Sequence, residues 1–227
     1  MFVFLFLFSR SEETANICFR NDEFSEACPE EIDPILNINS TDELISLIRS
    51  DPNVIYNIYL RSTEANQLVF DLGSNVSATI YFRGVSQNST FMQLKNVASS
   101  AVHLDNVSCE MLNDDPSSAM KIGRVSISDS SISSSYAIEA SQVNLSKPTL
   151  NVEEISVSKQ LNIVGSCNLI KNLSIKSTKI GVIMVFAGID QSVTVTCGTF
   201  MTILFENNKT LKVDLMYNRS IRAKYKI

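Results

Sequence analysis

The chain has little of what enzyme and metal sites are commonly built from. Among its 227 residues there are one His (His103), seven Gly, five Pro and no Trp. The five Cys lack the spacing of zinc ligands, so no metal site is predicted. Motifs for phosphate loops, dinucleotide binding, HExxH zinc enzymes and EF-hands are also missing, and no cofactor is predicted.

Charge is scarce as well. Asp, Glu, Lys and Arg make up 19% of the chain, and the formal net charge is −5. Such a chain offers no general attraction to nucleic acid, and none is predicted as a partner. Basic residues collect near the C-terminal end, where residues 217–227 are predicted to form a basic tail.

Apolar runs long enough to cross a bilayer as a helix are missing too, so no transmembrane segment is predicted. The apolar run at residues 2–8 has the length of the core of a secretory signal peptide. Residues 1–13 are therefore predicted to be a signal peptide, cut between Ser9 and Ala15. The alternative for this run is a buried N-terminal strand.

Ser and Asn are abundant, with 32 and 20 residues. Both compete with helical backbone hydrogen bonds and favour turns. Eight Asn-x-Ser/Thr sequons, together with the N-terminal segment, predict a glycoprotein that is secreted or lies on the extracellular face of the cell surface. The sequons in turn-like contexts are the predicted glycosylation sites: Asn39, Asn75, Asn88, Asn208 and Asn218.

The cysteines fit an oxidising compartment. Cys18 and Cys28 are predicted to form a disulfide that closes a small N-terminal loop. Cys109, Cys167 and Cys197 are predicted to be buried thiols within strands.

Short alternating apolar runs recur about every ten residues and predict β-strands. Two such runs would make a coil of roughly twenty residues, and about six or seven coils would fit. The units Leu94-Lys95-Asn96-Val97 and Leu104-Asp105-Asn106-Val107 repeat with one polarity, as stacked parallel rungs would, and Ile122-Gly123-Arg124-Val125 has a similar shape. Asn in these units suits a corner, because Asn tolerates the left-handed backbone conformation.

A short helix is predicted over about residues 42–50. Ser40 and Glu43 form a capping-box pattern ahead of an apolar face, and Asp51-Pro52 ends the helix. A strand over residues 54–60 follows. This order is similar to the opening of parallel β-helix proteins of the pectin-lyase-like type, in which such a helix closes one end of the solenoid.

That resemblance implies an all-β fold: a single-stranded right-handed parallel β-helix with a short N-terminal capping helix. Residues 14–53 would form the cap and residues 54–216 the β-solenoid. A β-sandwich is the alternative, since its strands recur at a similar spacing. The absence of Asn-Gly and Asp-Gly hairpin turns favours the solenoid.

The chain also resembles the Ser/Asn-rich β-helix surface proteins abundant in parasitic protists, in composition, rung pattern and predicted secretion. The resemblance implies a non-catalytic adhesion or interaction protein whose partner is an extracellular protein or glycan. A carbohydrate-active enzyme, either a polysaccharide lyase or a glycoside hydrolase, is the alternative function. A degenerate copy with no maintained role is a third.

No catalytic residue is predicted. Asp114 and Asp115 are the candidate acid–base pair for a glycosidase, but Asp114-Asp115-Pro116 is more typical of a solvated turn. Arg222-Ala223-Lys224 resembles the Arg-x-Lys of polygalacturonases, yet it lies beyond the apparent last rung and the accompanying Gly-His-Gly is missing. His103 is predicted to be an outward or hydrogen-bonded strand residue.

Overall fold

The structure is a computed structural model. It describes residues 13–20, 35–61, 68–84, 90–115, 117–165, 168–169, 173–177, 182–187, 193–197, 201–206, 213–215 and 221–226. These residues form strands that pair only in parallel, and one α-helix. The predicted all-β parallel β-helix is therefore confirmed, and the β-sandwich alternative is wrong.

The strands form two sheets. One has six strands and is called face 1: β4 (Leu68–Asp71), β6 (Phe91–Lys95), β8 (Ser108–Met111), β10 (Ser131–Ser134), β12 (Thr149–Asn151) and β14 (Asn168–Leu169). The other has fourteen strands: β1 (Thr14–Arg20), β2 (Ile35–Ile38), β3 (Ile55–Arg61), β5 (Thr79–Gly84), β7 (Val97–Asp105), β9 (Met120–Ser128), β11 (Ile138–Ser146), β13 (Glu154–Val164), β15 (Ser174–Ser177), β16 (Val182–Ala187), β17 (Val193–Cys197), β18 (Met201–Glu206), β19 (Val213–Leu215) and β20 (Ile221–Lys226).

The long strands of the larger sheet each contribute two paired segments. The register shifts within β7 and again between β11 and β13, and the two halves of β13 pair with different strands, β15 and β16. We call the first segments face 2 (residues 120–122, 138–140 and 154–157, continued by β15, β17 and β19). Face 3 comprises β1, β2, β3, β5, residues 101–105, 124–128, 142–146 and 160–164, and then β16, β18 and β20.

The chain thus winds through about six turns, passing face 1, face 2 and face 3 in each full coil. Hydrogen bonds between neighbouring coils join residues 24 apart at Ser100 and Val76, and 18 apart at Asn162 and Asn144. The predicted coil of roughly twenty residues lies within this span. Strand pairing does not fix the sense of winding, so right-handed winding stays a prediction, based on the general preference of parallel crossovers.

The core is a stack of inward side chains that repeat in register from coil to coil. On face 3, one inward column contains Ile17, Ile58, Phe82, Leu104, Ile127, Leu145 and Ile163, all of them buried. On face 1, the matching column contains Leu68, Met92, Cys109, Ile132 and Leu150. Each coil therefore covers the apolar side chains of the coil before it, which is how stacked repeats bury a continuous core.

A column of left-handed residues makes the corner between face 3 and face 1. Asn106, Asp129, Lys147 and Gly165 follow successive face 3 segments and have φ angles of 55°, 45°, 45° and 80°. The N–H of each of the first three donates to a carbonyl of the next coil, at 3.0 to 3.2 Å. Asn96, with φ 52°, turns the chain after β6. The predicted corner role of Asn is confirmed at Asn96 and Asn106.

The unit at Ile122-Gly123-Arg124-Val125 differs from the two Asn units. It lies inside β9, next to the register shift, and Gly123 is needed there for close approach instead of for a left-handed turn. A Cβ at Gly123 would lie 2.7 Å from the carbonyl oxygen of Ser100 in the previous coil.

Buried serines complete the hydrogen bonding at irregular positions. The Ser130 hydroxyl donates to the Ser128 carbonyl at 2.7 Å and accepts the Val107 N–H at 3.0 Å. Ser100 does the same between the Val76 carbonyl and the Ala78 N–H. Because an unpaired buried N–H is costly, these hydroxyls allow the chain to leave regular strand geometry inside the core.

The helix α1 spans Thr41–Ser50 and confirms the predicted cap at Ser40, whose hydroxyl accepts the Glu43 N–H at 3.5 Å. Its buried residues Leu44 and Ile48 lie on the side that packs against β4, at the end of face 1. Arg49 donates from Nε to the Leu72 carbonyl at 2.9 Å and so fixes the helix to the residue after β4. The helix therefore covers the end of face 1.

Four strands were not predicted from the sequence: β10 on face 1, and three at the ends of face 3. On face 3, β1 and β2 extend the sheet beyond β3, within the segment predicted to be the cap. At the other end β20 pairs with β18, within the segment predicted to be a basic tail. The expectation that Arg222-Ala223-Lys224 lies beyond the last rung is therefore wrong.

Lys147 has a left-handed backbone, whereas Lys121 lies in the extended strand β9, so replacing each by glycine should change the stability in opposite directions. Lys147→Gly should leave the free energy of unfolding unchanged or raise it by up to about 1 kcal/mol, because a side chain in the left-handed region is strained. Gly165→Ala, at the same corner one coil on, should lower it by about 1–2 kcal/mol. The measurement is denaturant unfolding.

The control is Lys121→Gly on the exposed side of β9, which should lower stability by about 0.5–1 kcal/mol because glycine weakens strands. Equal losses for the two Lys→Gly variants would contradict the corner assignment.

Candidate functional site

The outward side of face 3 carries a column of polar side chains in register. Successive coils contribute Asn16, Asn57, Tyr81, His103, Ser126, Asn144 and Asn162. A second outward column lies two residues further along each strand and contains Tyr59, Arg83, Asp105, Ser128, Ser146 and Val164. Strand alternation places both columns on the opposite side from the buried core.

Two aromatic rings stack in the middle of the first column. The rings of Tyr81 and His103 lie with centroids 4.0 Å apart and planes 9° apart. The guanidinium carbon of Arg83 lies 5.8 Å from the Tyr81 centroid, within the range of a cation–π interaction. The stack and the arginine therefore hold one another in place on the surface of two successive coils.

A groove of about 170 Å³ runs between the two columns at this point. Tyr81, His103 and Ser126 form one wall, and Arg83, Asp105 and Ser128 form the other. The strand residues Phe82 and Leu104 lie between the walls and turn their side chains into the core. The groove is open to solvent and is lined by hydroxyl, imidazole, guanidinium and carboxylate groups.

The electrostatic surroundings keep the imidazole neutral. Partial burial lowers the pKa of His103 below its usual value of 6.5, and the positive charges of Arg124 and then Arg83 lower it further. Arg124 lies on β9 two residues before Ser126 and is exposed. At neutral pH the groove therefore presents an uncharged imidazole, the guanidinium group of Arg83 and the carboxylate of Asp105, and Arg124 lies beside it.

Amide ladders flank the aromatic stack on both sides. The Asn57 Nδ2 group donates to Asn16 Oδ1 at 3.1 Å, and the Asn162 Nδ2 group donates to Asn144 Oδ1 at 2.6 Å. Gln160 adds a bond to Asn162 at 3.3 Å. These side-chain bonds hold the outward polar groups of face 3 in a fixed, largely uncharged row.

The candidate carboxylate pair forms a turn. Asp114 makes a 2.5 Å ion pair with Lys95 and accepts from Asn96 Nδ2 at 3.1 Å. Asp115 accepts from the backbone N–H and the hydroxyl of Ser117 at 2.9 and 2.6 Å. These hydrogen bonds lower the pKa of each carboxyl, through Lys95 first for Asp114 and through Ser117 for Asp115. A general acid in a glycosidase needs a raised pKa, so this geometry favours the turn interpretation.

The other predicted site residues divide between exposed positions and positions outside the described residues. Asn39 and Asn75 are exposed, immediately before the helix cap and in a turn, respectively. Asn88, Asn208 and Asn218 lie outside the described residues. Cys18 is buried and disulfide-bonded, but Cys28 lies outside the described residues, so the predicted pairing stays a prediction.

Cys109 is a buried free thiol whose pKa is raised by burial, as predicted for a core cysteine. Cys167 lies outside the described residues, and Cys197 is placed in β17 by its backbone. The predicted signal peptide lies outside the described residues, except for Glu13, whose carbonyl accepts the Ile55 N–H at 2.8 Å.

A second, shallow cavity of about 410 Å³ lies between α1 and β4. Arg49 is its only guanidinium among the lining residues, and that group is already bonded to the carbonyls of Asp71 and Leu72. Unlike the groove of face 3, this cavity is not lined by an aromatic ring or an imidazole among the described residues.

Sequence reasoning did not identify Tyr81, Arg83 and Arg124 as site residues. The alternation in β5 does place Tyr81 and Arg83 on one side of the strand, and β7 places His103 similarly. Their proximity depends on the register between coils, which varies with coil length. The sequence therefore indicates which side of each strand a residue occupies, but not which residues of neighbouring strands meet.

The described part of the chain holds neither a metal-binding cluster nor a membrane-spanning helix. It contains no group of three or more His, Cys, Asp or Glu side chains able to hold a metal ion. Nor does it contain a helix with both the length and the apolar character to cross a bilayer.

Comparisons with protein-family models, with curated proteins and with solved structures each find no match. The fold assignment therefore rests on the strand pairings of this chain, and the site on its own geometry.

The single histidine makes the electrostatics of the groove measurable. The imidazole Hε1 signal of His103 should titrate in NMR with a pKa below 6.5, and Arg124→Gln should raise that pKa because a nearby positive charge is removed. Arg83→Gln should raise it by a smaller amount.

Lys121→Gln, on face 2, should leave the titration unchanged. Because the folded-state pKa is depressed, the His103 contribution to stability is present above pH 6.5 and is lost as the pH falls through the folded-state pKa. A His103 pKa at or above 6.5, or one indifferent to Arg124→Gln, would show that the described surroundings of the ring are wrong.

Proposed function

We propose that the protein is a non-catalytic adhesion or interaction protein, secreted or held at the cell surface, which binds an extracellular protein or glycan through face 3. The observation that carries the proposal is the groove at Tyr81 and His103, set in a fixed row of outward polar side chains. A preorganised surface of this kind loses little conformational entropy on binding.

The groove supports binding more than hydrolysis. Among its lining residues Asp105 is the one carboxylate, whereas glycosidases of either stereochemistry use a pair. The other candidate pair, Asp114 and Asp115, is committed to the hydrogen bonds of a turn. Neither the groove nor the Asp114–Asp115 turn therefore offers the carboxylate pair that the glycoside-hydrolase alternative needs.

Two further observations support the extracellular part of the proposal. Cys18 is disulfide-bonded, and disulfides are typical of oxidising compartments. Asn39 and Asn75 are exposed within sequons. The resemblance to protist β-helix surface proteins proposed from the sequence implies the same compartment.

Binding should depend on the aromatic stack. Purified protein is tested against immobilised polysaccharides and extracellular-matrix proteins. We expect Tyr81→Ala with His103→Ala to weaken binding to any target at least about tenfold, since buried or half-buried aromatic anchors commonly dominate interfaces. Lys121→Ala with Glu139→Ala, two exposed positions in register on face 2, should change it less than about twofold.

The same reactions are assayed for shortened or unsaturated sugar products. Release of such products, abolished by Asp114→Asn, Asp115→Asn or His103→Ala, would replace the interaction function by an enzymatic one. Target binding that survives loss of both rings would remove face 3 as the binding surface.

Glycosylation gives an independent test of the compartment. When the full chain is expressed in a eukaryotic secretory host, protein should be recovered from the medium with N-glycans attached. Asn39→Gln and Asn75→Gln should each remove the mass of one glycan, measured by intact-mass spectrometry before and after enzymatic deglycosylation. Asn151→Gln, outside any sequon, is the control. Intracellular protein without glycans would contradict the secreted glycoprotein.

A further inference from the structure

We propose that the groove of face 3 binds one saccharide residue that carries an anionic group, a carboxylate or a sulfate, with Arg83 and Arg124 supplying the positive charge. The inference rests on the proposed function and names the ligand of that surface. It concerns a single ring of a glycan, not a long polyanion.

The size of the groove fits a single ring. Its volume of about 170 Å³ lies well below the several hundred Å³ usual for a drug-sized ligand. It is open to solvent along the outward side of the strands, so it can receive one residue projecting from a larger chain. A ligand of this kind is held at its end or at one unit, and the remainder stays in solvent.

The walls match a polyhydroxylated ring. The phenol of Tyr81 and the hydroxyls of Ser126 and Ser128 can each donate and accept hydrogen bonds. The neutral imidazole of His103 offers one donor and one acceptor, and the Asp105 carboxylate accepts. The edges of the stacked rings add apolar surface between these groups, and the C–H groups of a sugar ring can pack against it.

The charge balance selects an anion. Arg83 and Arg124 form no salt bridge among the described residues, and Asp105 is the one carboxylate in the groove. Arg83 lines the groove, and Arg124 pairs with Ala101, which makes it the diagonal neighbour of His103 across β7 and β9. Within the groove Arg83 and Asp105 balance one another, and Arg124 beside it adds one positive charge, on a chain whose formal net charge is −5. A long polyanion would be repelled by the net negative charge of the chain, whereas one anionic group interacts mainly with the nearby arginines.

The test uses matched sugars that differ in one group. Methyl glucuronoside is compared with methyl glucoside, and galactose 6-sulfate with galactose, by NMR titration of the His103 imidazole signal in the full protein. We expect the anionic member of at least one pair to bind at least tenfold more tightly than its neutral partner. The preference should shrink as salt is raised, because exposed charges are screened. The two pairs decide between a carboxylate and a sulfate.

Arg124→Gln should abolish the preference for the anionic sugar while neutral-sugar affinity stays within twofold, and Arg83→Gln should reduce both. Lys121→Gln is the matched control on face 2 and should change neither. Thermal unfolding of each variant, followed by circular dichroism, verifies that the fold is retained. Equal affinity for charged and neutral members, or a preference that survives Arg124→Gln, would overturn the inference.

Failure of the inference can be told apart from failure of the proposed function. If no sugar shifts the His103 signal, yet the variant lacking both rings loses its target in the binding panel, face 3 remains the interaction surface and its ligand is not an anionic saccharide. If that variant keeps its target as well, the proposed function fails with it.

Discussion

The structure depends on register between coils. Each coil contributes inward side chains that land on those of the coil before, so Phe82, Leu104 and Ile127 stack as one column although 22 and 23 residues separate them along the chain. A shift of one residue would exchange the inward and outward faces of a strand. The same register that buries Leu104 therefore places His103 on Tyr81, and the core and the groove are consequences of one alignment.

Irregularity is concentrated at the corners and is supported by small polar side chains. The left-handed residues between face 3 and face 1 are Asn, Asp, Lys and Gly in successive coils, so the position tolerates variety as long as the backbone can turn. Nearby, Ser100 and Ser130 satisfy backbone groups that regular pairing leaves open. The abundant Ser and Asn residues thus have two structural roles. They form hydrogen bonds at the corners, and they make up the uncharged outward rows of face 3.

Much of the fold could be predicted because the pattern that determines it is local. Alternation in segments such as Thr79–Gly84 marks a strand, and Ser40 with Glu43 marks the start of the helix, whatever the rest of the chain does. The strand Ser131–Ser134 was missed because Ile132 is its only apolar residue, and three serines in four residues are typical of a turn. The terminal strands β1 and β20 were missed because their own sequences do not indicate strands. They are strands because they pair with β3 and β18.

The groove could not be predicted for a different reason. Its residues are ordinary outward members of three strands, and they meet only because the coils between them have particular lengths. Partners on face 3 lie 22 to 24 residues apart from β3 to β9, 18 apart from β9 to β13, and 23 apart between β13 and β16. No local pattern records that spacing, so single-sequence reasoning recognised each strand without recognising the surface.

The 18-residue coils have a further implication for how such a chain can change over evolutionary time. A unit running from one left-handed corner to the next, such as Asp129 to Lys147, begins and ends in equivalent geometry and contacts mainly its two neighbours. Duplication or deletion of such a unit lengthens or shortens the rod while the flanking units rejoin in register. A duplication or deletion after Ser128 leaves the groove of face 3 intact, whereas one between Tyr81 and His103 would divide it. The rod can therefore vary in reach without changing what it recognises.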